Sequence, residues 1–490
     1  MRTNFDVIVI GGGGSGLATA VSAAEHGLEV LVLEKRPKCG GTTGIAVGSF
    51  TACVTTLQRQ RGINDSVAAH VEDVAQFAAS DLEARNNGPL RRLFLSESAA
   101  TLDWLQGMGV AFQGPNPEPP NRVPRMHNVV PGAQAYIATL QKRLMRLGGQ
   151  ILCVSQAQKL LRNCEGRVIG TQARTADGGV DFHARRGVVL AAGDYANSSE
   201  IISQHKHSRF ADIEGINPHA TGDGHRLAQE MGAKLINMDV TYGPEIRFVA
   251  PFKRSLLQIL PTHGPLARAT GWCVRLMPRF LLHCIIKRLL VTWQHPENAL
   301  FDHGAILLNS NGERFCDELV WPDREIAIAA QPDKMCYLLL DGKLVEQYSQ
   351  WPHFISTAPR IAYAYVADYE RLRPDVTARG ATLAQVATAR GLHVGRVAAT
   401  VAEYNRCAVR PLDRGPWVLL GPAKAYFTTT EGGAAIDEKL RVLDEHGHVI
   451  PGLYAVGQNG LGGQILWGHG LHIGWAITSG RLVGKLLAQQ

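Results

Sequence analysis

Near the N-terminus the apolar positions fall in two short runs, Phe5-Asp-Val-Ile-Val-Ile10 and Glu29-Val-Leu-Val-Leu-Glu34. Between them stand Gly11-Gly-Gly13-Gly14-Ser15-Gly16 and the start of a helical pattern. The predicted order is strand, glycine turn, helix, strand. Glycine at 11, 13 and 16 permits a tight turn, close approach to a pyrophosphate and close packing of helix on strand. Free N–H groups at the helix start then hold the phosphate charge. Glu34 closes the second run, where a carboxylate can accept hydrogen bonds from a ribose diol. The unit predicts dinucleotide binding through Gly11, Gly13, Gly14, Ser15, Gly16, Glu34 and Lys35.

This rhythm continues to about residue 235, ending in the helix-like Gly224-His-Arg-Leu-Ala-Gln-Glu-Met-Gly-Ala233, and is lost until about residue 416. The expected architecture is α/β: a discontinuous Rossmann-like domain over 1–235 and 416–490, with an inserted α+β capping domain over 236–415. Inside the insertion, Arg247 to Pro296 holds eight Lys or Arg and no acidic residue. Arg275, Arg279, His283 and Lys287 recur every four residues and form one basic stripe if the segment is helical. Two readings follow: an interfacial helix over 275–288 touching anionic lipid, or a cap helix with a solvated face. The net charge of +7 rests substantially on this stretch, and aromatics are not interleaved with it, so no nucleic-acid partner is expected.

With 490 residues, 45% of them hydrophobic, the chain can bury more than one core. Its nine cysteines show no C-x-x-C spacing, which predicts a reducing compartment, no disulfide framework and no attached haem, cluster or metal. The N-terminal apolar stretch belongs to the fold rather than to a signal peptide, and no apolar span reaches membrane length, so a cytoplasmic location is expected.

The dinucleotide is narrowed at Cys39-Gly40-Gly41-Thr42-Thr43-Gly44. Adjacent glycines so soon after the ribose acid suit a chain running flat along a diphosphate and ring system. Here the chain resembles the FAD-dependent dehydrogenases that include fumarate reductases, succinate dehydrogenases and 3-ketosteroid dehydrogenases. The resemblance continues in order through Gly187-Val-Val-Leu-Ala-Ala192-Gly193-Asp-Tyr-Ala-Asn197, Ala220-Thr-Gly-Asp223-Gly224, Gly312-Glu-Arg-Phe-Cys-Asp-Glu318, Glu431-Gly432-Gly433 and Pro451-Gly-Leu-Tyr-Ala-Val-Gly457. It implies non-covalent FAD held in addition by Gly40, Gly41, Thr42, Thr43, Gly48, Ala192, Gly193, Asp223, Gly457, Gln458, Gly470 and Ile473.

The resemblance also implies where substrate chemistry should lie. Fumarate reductases place an arginine four residues after the cap glutamate, a histidine just before the double glycine and a second arginine in the last glycine-rich loop. This chain has Pro322, Thr429 and Trp467 there, so a dicarboxylate clamp is missing and Arg324 is the remaining candidate for an anion site. Gly470-Leu-His-Ile473-Gly474-Trp-Ala476-Ile-Thr478-Ser-Gly480 instead matches the ketosteroid dehydrogenase pattern G-x-x-I-G-x-A-x-T-x-G. Gly470 matches that group's backbone donor to a carbonyl oxygen, and His469 stands where one subgroup moves a proton through serine. His469 and His472 share the acid/base candidacy, with a helix-capping role as the alternative. Tyr242 is a weaker candidate, and a packing role is expected for it and for Tyr195. The helix beginning near Gly470 should bring positive partial charge to the flavin's pyrimidine side.

The expected activity is therefore introduction or saturation of a C=C bond beside the carbonyl of an apolar, cyclic or steroid-like ketone or enone, with an external electron acceptor or donor. Reduction of an unsaturated acid other than fumarate, and a non-catalytic flavin-based redox sensor, are the alternatives. Because Thr42 occupies the position where covalent relatives bond the flavin through histidine, acid precipitation should release intact FAD. Yellow colour retained in the pellet would refute this.

Overall fold

The structure, a computed structural model, describes residues 2–251, 286–292, 294–358 and 362–490. Five parallel strands form the heart of an eight-stranded sheet, in the spatial order Gln150–Leu152, Val30–Leu33, Asn4–Ile10, Gly178–Leu190, Val449–Ala455. In chain order this is 3-2-1-4-5, the doubly wound arrangement whose ligand crevice opens where the direction of progression reverses. That point lies between Asn4–Ile10 and Gly178–Leu190, which run Ile10 beside Leu190. Strands buried on both faces explain the unbroken apolar runs: Val7, Ile8 and Val9 are fully buried, as are Val188, Val189 and Leu190.

The helix Gly14–Glu25 packs against the C-terminal helix Leu471–Ala488 more closely than side chains of ordinary size would allow. A β-carbon on Gly480 would fall 2.3 Å from Ser15 O, and one on Gly484 would fall 2.6 Å from Thr19 O and 2.7 Å from Ala23 N. Ser22 Oγ completes the contact by donating to Arg481 O at 2.7 Å. The first and last segments of the chain thus meet backbone to backbone.

A second, six-stranded sheet is built around Trp417–Phe427, which pairs antiparallel with Glu245–Phe248, Cys336–Leu340 and Thr377–Gly380. It carries its own apolar core, including Leu307, Leu338, Val418 and Leu419. The expected return at 416 precedes Trp417–Phe427, and Glu214–Gly215, within the expected first segment, also pairs with that strand. The strand is buried on both faces over 417–421 and on one face beyond, where Lys424 and Tyr426 are partly exposed. Two short ribbons join the sheets: Leu235–Ile236 with Gly433–Ala434, and Thr241–Tyr242 with Thr429–Thr430. A three-stranded sheet, Ser49–Thr51, Met126–Val130 and Ala111–Asn116, lies beside the start of the C-terminal helix, where Thr51 N donates to Gly470 O at 3.3 Å.

Of the basic stripe, Arg275, Arg279 and His283 lie outside the described residues. Lys287 falls in the helical segment 286–292 and gives its charge to the protein: Nζ lies 2.7 Å from Asp368 Oδ2, with the side chain 23% exposed. The expectation that Lys287 belongs to a solvated or lipid-facing stripe is therefore corrected. Its partner Asp368 also accepts from Tyr365 N and so caps the helix Val366–Leu372. Among the described residues no helix is long and apolar enough to cross a membrane.

Gly484→Val should lower stability by at least about 1–3 kcal/mol, the cost of overpacking a filled contact, and should loosen FAD. Gly107→Ala, at a position with no atom within 4 Å of the new β-carbon, should stay within about 0.5 kcal/mol. Thermal melts of both variants, with FAD content measured alongside, check this; equal melting points would refute the close contact.

Candidate active site

The C-terminal ends of the parallel strands gather the glycine motifs on one edge. Gly11 follows Ile10 with φ +113°, and a β-carbon there would lie 2.3 Å from Ala191 O, so only glycine lets the two turns touch. The helix Gly14–Glu25 begins without a side-chain cap and without an acidic residue in its first turn, which leaves its N–H groups for an anion. Space beside Gly40 and Gly193 is open, since a β-carbon on either meets nothing within 4 Å. The buried Glu34 carboxylate accepts from Gly12 N and Arg36 N, each at 2.8 Å, which orients it and leaves lone pairs for a diol. Gln458 Oε1 is buried without a partner among the described residues. An anion-binding helix start, an open glycine-lined groove, a held carboxylate and an unpaired polar atom at its far end fit FAD.

Several expected contacts serve the cradle itself. Lys35 Nζ bonds Thr221 Oγ1 at 2.7 Å and Asp223 Oδ2 at 3.0 Å, tying the first motif to a distant loop. Burial pushes Asp223 up, but the Lys35 charge, the hydrogen bonds from Lys35 and Thr221 and the nearby Arg226 charge together hold the carboxyl below the usual range. Ala192 N donates to Asn459 Oδ1 at 2.6 Å. The Gly48 carbonyl accepts from Tyr136 OH at 2.9 Å. Thr43 abuts Gly14, and Gly457 abuts Ser15, each with under 3 Å to spare for a β-carbon. Gly41 faces Gly13 across the groove, with a β-carbon on Gly41 3.2 Å from Gly13 Cα. Thr42 Oγ1 accepts from Asn217 Nδ2 at 2.9 Å and lies 3.4 Å from Asp194 Oδ2. Gln458 Nε2 holds Thr429 Oγ1 at 2.6 Å and Thr430 O at 2.7 Å. Ile473 packs on the main core.

At the start of the C-terminal helix the two histidine candidates each meet a carboxylate. His469 Nδ1 lies 2.7 Å from Glu118 Oε1, and its ring is 58% exposed. That hydrogen bond raises the imidazole above its ordinary value, against the opposing effect of burial. His472 Nε2 lies 2.9 Å from Oε1 of the fully buried Glu431. Burial works to neutralise His472, yet the Glu431 charge and hydrogen bond together with the Asp194 charge raise its value above the ordinary range. Gly470, between them, has φ +85° and its N–H has no partner among the described residues, which keeps it available as a donor. Proline cannot adopt that φ, so substitution by proline is no test of the donor.

Tyr242 lines a cavity of about 260 Å³ with Glu245, Ile246, His295, Phe301, Trp321, Arg324, Glu325 and Trp467 among its walls. The Tyr242 and Trp467 rings meet edge to face, 5.6 Å between centroids. Burial pushes the Tyr242 hydroxyl up to about 12, so it stays protonated. Tyr195 is fully buried with its hydroxyl on Met238 O at 2.7 Å, which is a packing role. Arg324 is spent within the protein: its guanidinium bonds Glu325 Oε1, Glu318 O and Asn298 Oδ1 and stacks over Phe301 at 4.5 Å. Burial raises Glu325 and lowers His295.

Sequence reasoning missed Glu118, His295 and Glu325, and passed over Glu431 although it stands inside a quoted motif. For Glu431 the signal was an acid between turn residues beside a double glycine. Glu118 sits in a proline-rich stretch with no such signal.

The pattern of the FAD binding domain family matches residues 6–247 and 280–464. A fumarate reductase (cytochrome) of Shewanella frigidimarina is 26% identical, the alignment covering 99% of this chain and 77% of that protein. A vinyl phenol reductase of Lactiplantibacillus plantarum is 25% identical, covering 99% and 97%. Among solved structures, the open conformation of a flavocytochrome c3 fumarate reductase superposes with TM-score 0.73 at 24% identity, covering all of this chain and 78% of that one. The 3-ketosteroid Δ1-dehydrogenase from Sterolibacterium denitrificans superposes with TM-score 0.65 at 18% identity over the full length of both. The glycine-lined groove and these likenesses agree: the chain belongs to the FAD binding domain family and is an FAD-dependent oxidoreductase.

Proposed function

We propose that this oxidoreductase saturates, or in reverse introduces, a C=C bond beside the carbonyl of a neutral, largely apolar ketone or enone, with cyclic molecules as the best fit. The observation that carries this reading is the cavity wall. Tyr242, Phe301, Trp321 and Trp467 supply aromatic surface, while the Arg324 charge is already matched by Glu325. A dianion entering there would have to compete with a buried carboxylate for the same guanidinium, at a cost of several kcal/mol in desolvation. The unsaturated-acid alternative loses its anion site by the same contact. A relative named for vinyl phenol supports a neutral unsaturated substrate.

FAD, when bound without a covalent link, supplies hydride exchange at N5 and is reset by an external electron donor or acceptor. The chain's own groups do the rest. The Gly470 N–H polarises the carbonyl oxygen, as one preorganised donor can. His469 Nε2 gives the proton in the saturating direction and takes it in the other. The apolar walls exclude water from the reacting bond.

Holoenzyme reduced anaerobically should be reoxidised by cyclic enones, with return of the yellow band, and should not be reoxidised at a useful rate by fumarate. His469→Ala should still bind enone while the single-turnover rate falls by about two to four orders of magnitude. Rapid turnover of fumarate would overturn the substrate class, and an unchanged rate in His469→Ala would reduce that residue to a structural partner of Glu118.

A further inference from the structure

The loop 117–125, between the strands Ala111–Asn116 and Met126–Val130, is held more rigidly than its turn-rich sequence suggests. Arg125 is fully buried and pairs with Asp65 at 2.7 Å and Asp73 at 2.5 Å. The same guanidinium donates to Asn121 Oδ1 at 2.9 Å, and Asn121 N donates to Glu118 O at 2.9 Å. Arg122 adds a bond to Asp73 at 2.7 Å. The chain of contacts ends at the main chain of Glu118, a residue 8% exposed.

Glu118 Oε1 receives two donors from one residue: His469 N at 2.7 Å and His469 Nδ1 at 2.7 Å. A single oxygen bridging main chain and ring fixes the imidazole's orientation. Glu118 Oε2 is buried without a partner among the described residues. A carboxylate half-bare in a buried setting is costly unless a positive charge stands beside it. The ring's other nitrogen, Nε2, has no partner among the described residues.

Resting on the acid/base reading of His469, we propose that Glu118 is its positioning residue: it holds Nδ1–H and leaves Nε2 as the nitrogen that exchanges a proton with substrate. In the saturating direction the Nε2–H bond breaks as the new C–H bond forms at one carbon, the neighbouring carbon takes the hydride that reduced FAD would supply, and the imidazole is left neutral with Nδ1–H still on Glu118. The charged groups acting on the imidazole are Glu118, Glu245 and Arg247, and the His469 charge in turn lowers His295, which lines the cavity. The raised His469 value agrees: the acid form persists above the ordinary imidazole range and is lost as pH rises through the raised value.

The test uses holoenzyme with ¹⁵N-labelled histidine, the His469 signals assigned by their loss in His469→Ala. In the wild type above the transition, Nδ1 should carry the proton and Nε2 should show a bare lone pair; the opposite tautomer overturns the proposal. Glu118→Gln should lower the imidazole pKa by about one unit or more and shift the alkaline limb of the single-turnover rate by the same amount. Glu118→Asp, which keeps the charge, should recover part of both shifts. An unchanged pKa in Glu118→Gln with FAD spectrum and melting point intact overturns the proposal. A His469→Ala enzyme with the wild-type rate and limb overturns the acid/base reading instead, while the pKa difference would still report the hold of Glu118 on the ring.

Discussion

The contact between the helices Gly14–Glu25 and Leu471–Ala488 sets the terms for everything else in the molecule. Gly480 and Gly484 allow backbone to meet backbone, and Ser15, Thr19 and Ser22 supply the facing surface. Each helix begins beside a different part of the cofactor cradle: one behind the glycine turn at Gly11–Gly13, the other at Gly470. Locking their bodies together fixes the separation of their starts. Residues more than 450 positions apart in sequence are thereby held as one rigid platform. Dispersion and shape do this work, since no ion pair is needed where the filled contact already specifies one arrangement.

On that platform the electrostatics follow one rule: charge near the reacting region is paired at short range. Glu118 serves His469, Glu431 serves His472, and Glu325 serves Arg324. In the two histidine pairs the carboxylate is the more buried partner and the ring the more exposed one. Such pairing raises both imidazoles against the effect of burial. It also leaves the cavity a wall that attracts neither strong anions nor strong cations.

What could be read from sequence was whatever is encoded locally. The first glycine unit, the Glu34 position and the double glycine at Gly40-Gly41 each state their geometry within a few residues, because strand, turn and helix start are adjacent in the chain. The relation of Gly470 to a helix start was legible for the same reason. The long strand Trp417–Phe427 was not, since its pairing partners lie at positions 214, 246, 338 and 378. Nor was Glu118, whose bond to His469 spans 351 positions. The Lys287 charge looked surface-directed because its partner Asp368 is 81 positions away. Gly470 carried a conformational fact that residue type alone does not give, a positive φ that rules proline out.

Among the described residues, the cavity draws its wall from the second sheet and its connections, residues 242–246, 295–301 and 321–325, with Trp467 from the C-terminal segment. The cofactor cradle, by contrast, is drawn from the first sheet's edge. Substitutions that reshape the wall leave the helix contact and the glycine turns untouched, so mutations in the two regions should combine almost additively. A fold divided this way lets the cavity wall vary while the cofactor cradle stays fixed, so a library of wall variants can be made without gambling the fold.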